Sequence, residues 1–161
     1  MKHLLARFFA RPEPMLTEAG PRDAAALAAL HGASFRRGWS EDEFERLLLD
    51  RSVLAHRAMI GRRPVGFIIS RIAVGEAEIL SVAVARAHQG RGLARRLLDL
   101  HMRRLAGLGV RTVFLEVDDD NVAARRLYAG SAFRQVGRRD GYYSGPGSAA
   151  GAALVLRRDL A

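Results

Sequence analysis

The first third of the chain alternates between strand-like and helical spacing of apolar residues. A short strand is predicted over 15–19. A helix should follow, because Pro21 suits the first helical position and apolar residues then recur near helical spacing. Ser40, with Glu43 three residues later, is typical of a capping box. A second helix is therefore predicted to begin at this serine.

The remainder of the chain predicts strands first and then alternating helices and strands. Turn signals bound three strand-like runs that together indicate a meander, at 53–60, 65–74 and 77–84. Leucines at a period near 3.6 predict a helix over 92–108. The pattern then predicts a strand at 110–117, a helix at 121–130, and strands near 133–138 and 152–157. This order indicates one mixed α/β domain over 15–161, preceded by a flexible tail at 1–14.

Composition narrows the class of protein. The chain has 161 residues, of which 49% are hydrophobic and 27% charged, and no apolar run approaches the ~20 residues of a membrane span. The absence of cysteine excludes disulfides, thiolate metal sites and a cysteine nucleophile. The five histidines lack metal-ligand spacing, so we expect them at the surface or half-buried, and we expect no metal. No membrane association is expected, and the default compartment is the cytoplasm.

The net charge of +9 comes almost wholly from arginine, because Lys2 is the only lysine. Such a charge attracts phosphate-bearing ligands, RNA or a ribonucleoprotein surface, and composition does not separate these. No basic motif interleaved with aromatic residues is visible, so direct nucleic-acid binding is not expected.

The segment 79–94 runs from a strand through a glycine-rich turn into a basic helix. A helix N-terminus favours anions, and Gly90 and Gly92 let the backbone approach a bulky phosphate group. Arg91, Arg95 and Arg96 add positive charge. These residues alone are also compatible with a plain strand–turn–helix in which glycine serves only the turn geometry.

Two motifs together resemble the GNAT (GCN5-related) N-acetyltransferase superfamily. Residues 89–94, with the sequence Q-G-R-G-L-A, resemble its Q/R-x-x-G-x-G/A pyrophosphate loop. Downstream, Leu115-Glu116-Val117, Asn121 and Leu127-Tyr128 resemble a later motif that ends in Gly-Phe, where this chain has Ala132-Phe133. The resemblance covers about residues 15–158.

The resemblance implies a fold and a co-substrate. The fold is a central, mostly antiparallel sheet of about six to seven strands, with splayed fourth and fifth strands and about four helices. The co-substrate is acetyl-CoA, with pantetheine pairing along the fourth strand. The residues implied to bind it are Val82, Ala83, Val84, Gln89, Gly90, Arg91, Gly92, Leu93, Ala94, Arg95, Asn121 and Tyr128.

Within the superfamily the chain is most similar to the RimI-type ribosomal-protein-alanine N-acetyltransferases. The shared features include Trp39-Ser40 and a C-terminal Arg-Arg-x-x-Tyr-Tyr segment. This resemblance implies that the acceptor is the N-terminal alanine of a small-subunit ribosomal protein. It also implies a substrate-binding role for Trp39, Tyr142 and Tyr143, although the paired tyrosines also suit simple loop packing.

Glu116 and Tyr128 are the candidate catalytic residues for direct transfer. Glu116 would act as the base, directly or through water, and Tyr128 would donate to the leaving thiolate. The alternatives are a salt-bridged carboxylate and a core tyrosine. Asn121 suits a helix N-cap as well as a contact with CoA. The carboxylates at 118–120 either cap that helix or steer a cationic acceptor.

Other functions remain compatible with the sequence. The same fold can acetylate a polyamine, an aminoglycoside or a lysine. A non-catalytic acyl-CoA-binding regulator would not need both Glu116 and Tyr128. An RNA-binding module would depend on the charge of +9 alone. The sequence leaves the oligomeric state open.

Overall fold

The computed structural model describes residues 11–141 and 151–160. Within them the strands are β1 Met15–Glu18, β2 Val53–Ile60, β3 Arg63–Ala73, β4 Glu76–Val84, β5 Thr112–Asp118, β6 Arg134–Arg139 and β7 Ala153–Asp159. The helices are α1 Ala24–Ser34, α2 Glu41–Leu49, α3 Leu93–Gly107 and α4 Val122–Ala129. The predicted fold class is confirmed. The flexible tail stays a prediction, since residues 1–10 lie outside the described part.

The strands form one sheet in the order β1-β2-β3-β4-β5-β7-β6. The meander from β1 to β4 is antiparallel, as are the pairs that β7 makes with β5 and β6. The exception is β4 with β5, which are parallel and joined through α3. A parallel pair needs such a long crossover, and here that crossover is the helix after the glycine-rich turn.

Each face of the sheet is covered by apolar contacts with helices. On one face, α3 packs its leucines against β2, β3 and β4, and α4 contributes Tyr128. On the other face, Leu27 of α1 and Phe44 of α2 pack against Phe67 and Ile69 of β3. Because β3 is covered on both faces, residues 65–70 are all buried.

Local hydrogen bonds explain where the first helices begin. Ser40 Oγ accepts from Glu43 N at 3.2 Å, and Glu43 Oε2 accepts from Ser40 N at 2.7 Å, which confirms the capping box. Pro21 opens a 3-10 turn and not the α-helix itself, which begins at Ala24. An ion pair between Asp23 and Arg57 of β2 holds this turn against the sheet.

The prediction that the histidines lie at the surface or half-buried is wrong for three of them. His31, His56 and His101 are all buried. His56 Nδ1 lies 2.7 Å from His101 Nδ1, and Ser70 Oγ hydrogen-bonds His101 Nε2. Burial, followed by the effect of the His56 charge, lowers the pKa of His101 to about 3. His56, His101 and Ser70 thus satisfy one another's polar groups inside an otherwise apolar layer.

Strands β4 and β5 separate after a short paired stretch, as the resemblance implied. Their pairing begins at Glu76 opposite Thr112 and ends at Glu78 opposite Phe114. Both strands continue beyond this point, to Val84 and Asp118. The edge of β4 that faces β5 is therefore unpaired where the chain approaches the glycine-rich turn.

Candidate active site

Two cavities flank the gap between β4 and β5. One lies on the face covered by α3 and α4, where Val82 of β4 lines it. The other lies on the face covered by α1 and α2, where Leu80 of the same strand lines it. We call the first the cofactor cleft and the second the acceptor cavity. A group in one can approach a group in the other only where the sheet is open, and the gap supplies that opening.

The cofactor cleft, of about 470 Å³, brings together most of the residues that the sequence assigned to acetyl-CoA. From β4, the turn and α3 these are Val82, Ala83, Val84, Gln89, Gly90, Gly92, Leu93, Ala94 and Arg95, and from the α4 segment they are Asn121 and Tyr128. Arg91 is the exception, because it lines an adjacent cavity with Arg11 and Arg96. Residues that sequence reasoning did not single out, including His88 and Leu127, also line the cleft.

The glycine-rich turn has the backbone that a phosphate site needs. Gly90 and Gly92 both have φ of +75°, and Gly92 is the residue that precedes α3. In the described part of the chain, no atom beyond the adjacent residues lies within 4 Å of the position that a Cβ would take at either glycine. Neither glycine is therefore required by packing. The left-handed backbone favours glycine, and the space beside it is open to a ligand that contacts the free N–H groups of α3.

Side chains around the turn hold its shape. Gln89 Nε2 donates to Val84 O at 3.0 Å, which ties the turn to the end of β4. Arg95 extends across the cleft, so that a Cβ at Gly130 would lie 3.0 Å from its Nη1. The guanidinium thus lies near the C-terminal end of α4, inside the cleft and beside the turn.

The acceptor cavity, of about 390 Å³, contains the predicted base. Glu116 and Asp118 of β5, Glu78 of β4 and Trp39 all line it, together with Arg71 of β3. Glu116 keeps 28% of its side-chain area exposed, and its Oε1 lies 3.3 Å from Arg139 Nη2. Both interpretations of Glu116 are thus compatible with the structure, since the carboxylate is salt-bridged and also faces a cavity.

Trp39 is held at this cavity by His31, a residue that sequence reasoning missed. The backbone N–H of Trp39 donates to His31 Nδ1 at 3.0 Å, and the two rings stack with centroids 4.5 Å apart. Burial lowers the pKa of His31, and Glu43 opposes this effect. The neutral ring can accept the hydrogen bond, whereas a protonated ring would have no lone pair to offer. The signal was present in the aromatic spacing of Phe35, Trp39 and Phe44, all of which contact His31.

Tyr128 lies on the last turn of α4 and is oriented by the way that helix ends. Phe133 N donates to Tyr128 O at 3.0 Å, and Ala132 between them has φ of +62°. This bond and the left-handed residue before Phe133 are features of a Schellman ending, in which the left-handed residue is usually glycine. The Phe133 ring packs edge-on against the Tyr128 ring at 5.6 Å. Burial raises the pKa of Tyr128 to about 12, so the phenol stays protonated and can donate a hydrogen bond.

Residues 118–121 have different roles in the structure, and the alternatives of helix capping and cavity lining apply to different members of this segment. Asn121 is the N-cap of α4, since its Oδ1 accepts from Ala124 N at 3.1 Å. Asp120 is not the capping side chain, because only its backbone oxygen takes part, accepting from Val122 N. Asp119 forms ion pairs with Arg125 and Arg138. Asp118 alone of the three lines the acceptor cavity.

A family model described as acetyltransferase (GNAT) family matches residues 24–133, which include the turn, Glu116 and Tyr128. The chain belongs to this family. The match begins at α1 and ends at Phe133, so that β6 and β7 lie beyond it.

Two similar proteins and one solved structure agree with this family. N-alpha-acetyltransferase RimI of Mycobacterium tuberculosis is 34% identical over 75% of each chain. A [ribosomal protein bS18]-alanine N-acetyltransferase of Haemophilus ducreyi is 32% identical over 57% of this chain, and the match spans 63% of that protein, less than two thirds of its length. The crystal structure of the Escherichia coli ribosomal-protein-S18-alanine N-acetyltransferase has a TM-score of 0.84 at 24% identity, over 92% of this chain and 94% of that one, which is a likeness of fold.

Three further expectations for this GNAT protein concern the paired tyrosines, metal binding and a membrane. Tyr142 and Tyr143 lie outside the described residues. Among the residues that are described, no group of three metal-binding side chains occurs. In the same part of the chain, no helix is both long and apolar enough to cross a bilayer.

Proposed function

We propose that the protein transfers an acetyl group from acetyl-CoA to a protein N-terminal α-amine, that of the N-terminal alanine of a small-subunit ribosomal protein, in the cytoplasm. The observation that carries this proposal is the placement of the two cavities on either side of the gap between β4 and β5. A candidate base, Glu116, lines one cavity, and a candidate hydrogen-bond donor, Tyr128, lines the other. The identity of the acceptor is supported by the names of the similar proteins.

The cofactor cleft supports acetyl-CoA as the donor. The pyrophosphate would lie against Gly90, Gly92 and the first turn of α3, where free N–H groups and the helix dipole favour anions. The pantetheine arm would pair with the unpaired edge of β4 near Val82. The bound thioester would then supply the acetyl carbonyl at the gap between the strands.

The acceptor chemistry favours an α-amine. Its pKa is near ~7.8, against ~10.4 for lysine, so roughly a tenth of an α-amine but well under a thousandth of a lysine is neutral at pH 7. A carboxylate such as Glu116 can remove the proton as the amine attacks the thioester carbonyl, directly or through water. A carboxylate base is better matched to an N-terminus than to a lysine side chain, because far more of the α-amine is already neutral.

Tyr128 would stabilise the leaving thiolate by donating a hydrogen bond. Its pKa of about 12 lies well above the ~8.5 of a thiol, so complete proton transfer to sulfur would be uphill. A hydrogen bond that strengthens as negative charge develops on sulfur still lowers the barrier. The buried ring, packed against Phe133, keeps this donor in a fixed place.

The test is mass-spectrometric detection of acetylation with acetyl-CoA and a panel of acceptors. The panel holds peptides that begin with alanine, the same peptides with a blocked N-terminus and one internal lysine, and free polyamines. We expect acetylation of the free N-termini. Faster acetylation of the lysine peptide or of the polyamines would instead assign the protein to a different acceptor class.

The role of Glu116 is tested by Glu116→Gln, with Glu76→Gln as the matched control. Glu76 is exposed on β4 and lines neither cavity. We expect Glu116→Gln to bind acetyl-CoA normally by calorimetry and to lose about 10²–10⁴ in turnover, as for a general base. A near-normal rate at pH 7 would show that the amine arrives neutral and that Glu116 is structural.

A further inference from the structure

Glu78 occupies the closed end of the gap between the strands. It is the last residue of β4 that pairs with β5, where it lies opposite Phe114. Beyond it the two strands separate, and its side chain lines the acceptor cavity with Glu116 and Trp39. An acceptor that reaches the gap from this face therefore passes beside Glu78.

The two glutamates of the cavity differ in their partners. Glu116 is paired with Arg139 at 3.3 Å. Among the described residues Glu78 makes no salt bridge, even with Arg71, which lies opposite it on β3. Within residues 11–141 and 151–160, the charge of Glu78 therefore has no direct counter-ion at the wall of the cavity.

The cavity is also acidic in a protein that is strongly basic. Among the residues that the structure describes, its lining holds three carboxylates and one guanidinium, while the chain as a whole carries a net charge of +9. A cation is repelled by most of the surface and attracted here, because nearby charges dominate the potential inside a cavity. The third carboxylate, Asp118, lies further along β5, where the strands are already apart.

We propose that Glu78 is an acceptor-binding residue that holds the protonated α-amine of the incoming peptide before Glu116 removes its proton. This inference rests on the proposed function and adds the residue that recognises the acceptor's charge. At pH 7 most of an α-amine is protonated, so the acceptor arrives as a cation. Binding that cation stabilises the bound ground state, so it lowers KM without raising kcat.

The chain offers a direct probe of this binding, because Trp39 is its only tryptophan and lines the same cavity. A peptide that begins with alanine is titrated into protein saturated with CoA, and tryptophan fluorescence is followed. The comparison peptide has propionyl in place of alanine, so it lacks only the ammonium group. This titration measures binding and does not require turnover. A failure of acetyl transfer would appear only in the mass-spectrometric assay, so the two proposals are tested separately.

Wild-type protein should bind the free-amine peptide more tightly than the propionyl peptide. In Glu78→Gln we expect the free-amine peptide to bind about two- to fivefold more weakly, the range for one partly exposed ion pair, with the propionyl peptide unchanged. The difference should shrink in high salt. Glu76→Gln, which makes the same charge change outside the cavity, should behave like wild type. Where turnover is measured, Glu78→Gln should raise KM and keep kcat within about twofold.

Two results would overturn the proposal. One is a Glu78→Gln variant that keeps the full preference for the free amine. The other is a variant with unchanged peptide binding and a kcat at least about tenfold lower, which would place Glu78 in proton transfer. Thermal unfolding is the control for a change in stability, because Glu78→Gln also removes the cross-strand attraction to Arg71. We expect the variant to unfold at the same temperature as wild type.

Discussion

Replacing Ala132 by glycine should stabilise the protein, although Ala→Gly usually destabilises. Ala132 has φ of +62° in the ending of α4, and its side chain is exposed. A left-handed backbone costs a residue with a Cβ roughly 1–2 kcal/mol, and glycine avoids this cost. Glycine also makes the unfolded chain more flexible, which reduces the stabilisation by about 0.5–1 kcal/mol.

The net gain expected for Ala132→Gly is therefore about 0.5–1 kcal/mol, because the exposed methyl group contributes little burial. For a domain of this size that corresponds to a rise of about 1–4 °C in Tm. The matched control is Ala29→Gly, an exposed alanine in the interior of α1. There the backbone is helical, and the same substitution should cost about 1 kcal/mol.

Urea unfolding followed by far-UV circular dichroism measures both variants, with the m-value checked for constancy. Opposite signs for the two substitutions are the expected result. Equal destabilisation would refute the assignment of left-handed strain to Ala132. Because the Tyr128–Phe133 contact is kept, acetyl transfer should stay within about twofold of wild type.

Three further changes have expected outcomes. Val74→Asn, in the two-residue turn between β3 and β4, should raise the free energy of unfolding by about 1 kcal/mol in urea titrations, since a β-branched residue at φ of +47° is strained and Asn tolerates that backbone. Folding lowers the pKa of His101 from its ordinary 6.5 to about 3. Neutral His101 therefore contributes its full stability above pH 6.5, and this contribution declines as the pH falls, because the unfolded chain then binds a proton that the folded protein does not. The free energy of unfolding of the wild-type protein should thus drop between pH 7 and pH 5 by up to about 1.4 kcal/mol per pH unit, and His101→Gln should show a smaller drop. An equal drop in the two proteins would contradict this role of His101. Gly92→Ala and Gly61→Ala put the same Cβ at positive φ into open space, so both should lose similar stability, but only Gly92→Ala should weaken acetyl-CoA binding by calorimetry.

The sequence alone was sufficient to predict local structure that depends on residues close together in the chain. Ser40 and Glu43 satisfy each other's backbone across three residues, so the start of α2 could be predicted from four letters. The glycines of the turn before α3 likewise indicate a left-handed backbone because few other residues adopt it. Strand β2 was predicted with the bounds that the structure has, since turn residues stand at both of its ends.

Only the tertiary structure decided which distant residues meet. His56 and His101 are 45 residues apart, and no local pattern shows that each satisfies the other within the core. Glu78 was not singled out in the sequence, and it lies at the acceptor cavity because the β4–β5 pairing ends beside it. The ion pair of Glu116 with Arg139 depends on the arrangement of β5, β7 and β6. Such contacts follow from how the whole sheet packs and pairs, whereas caps and turns follow from a few consecutive residues.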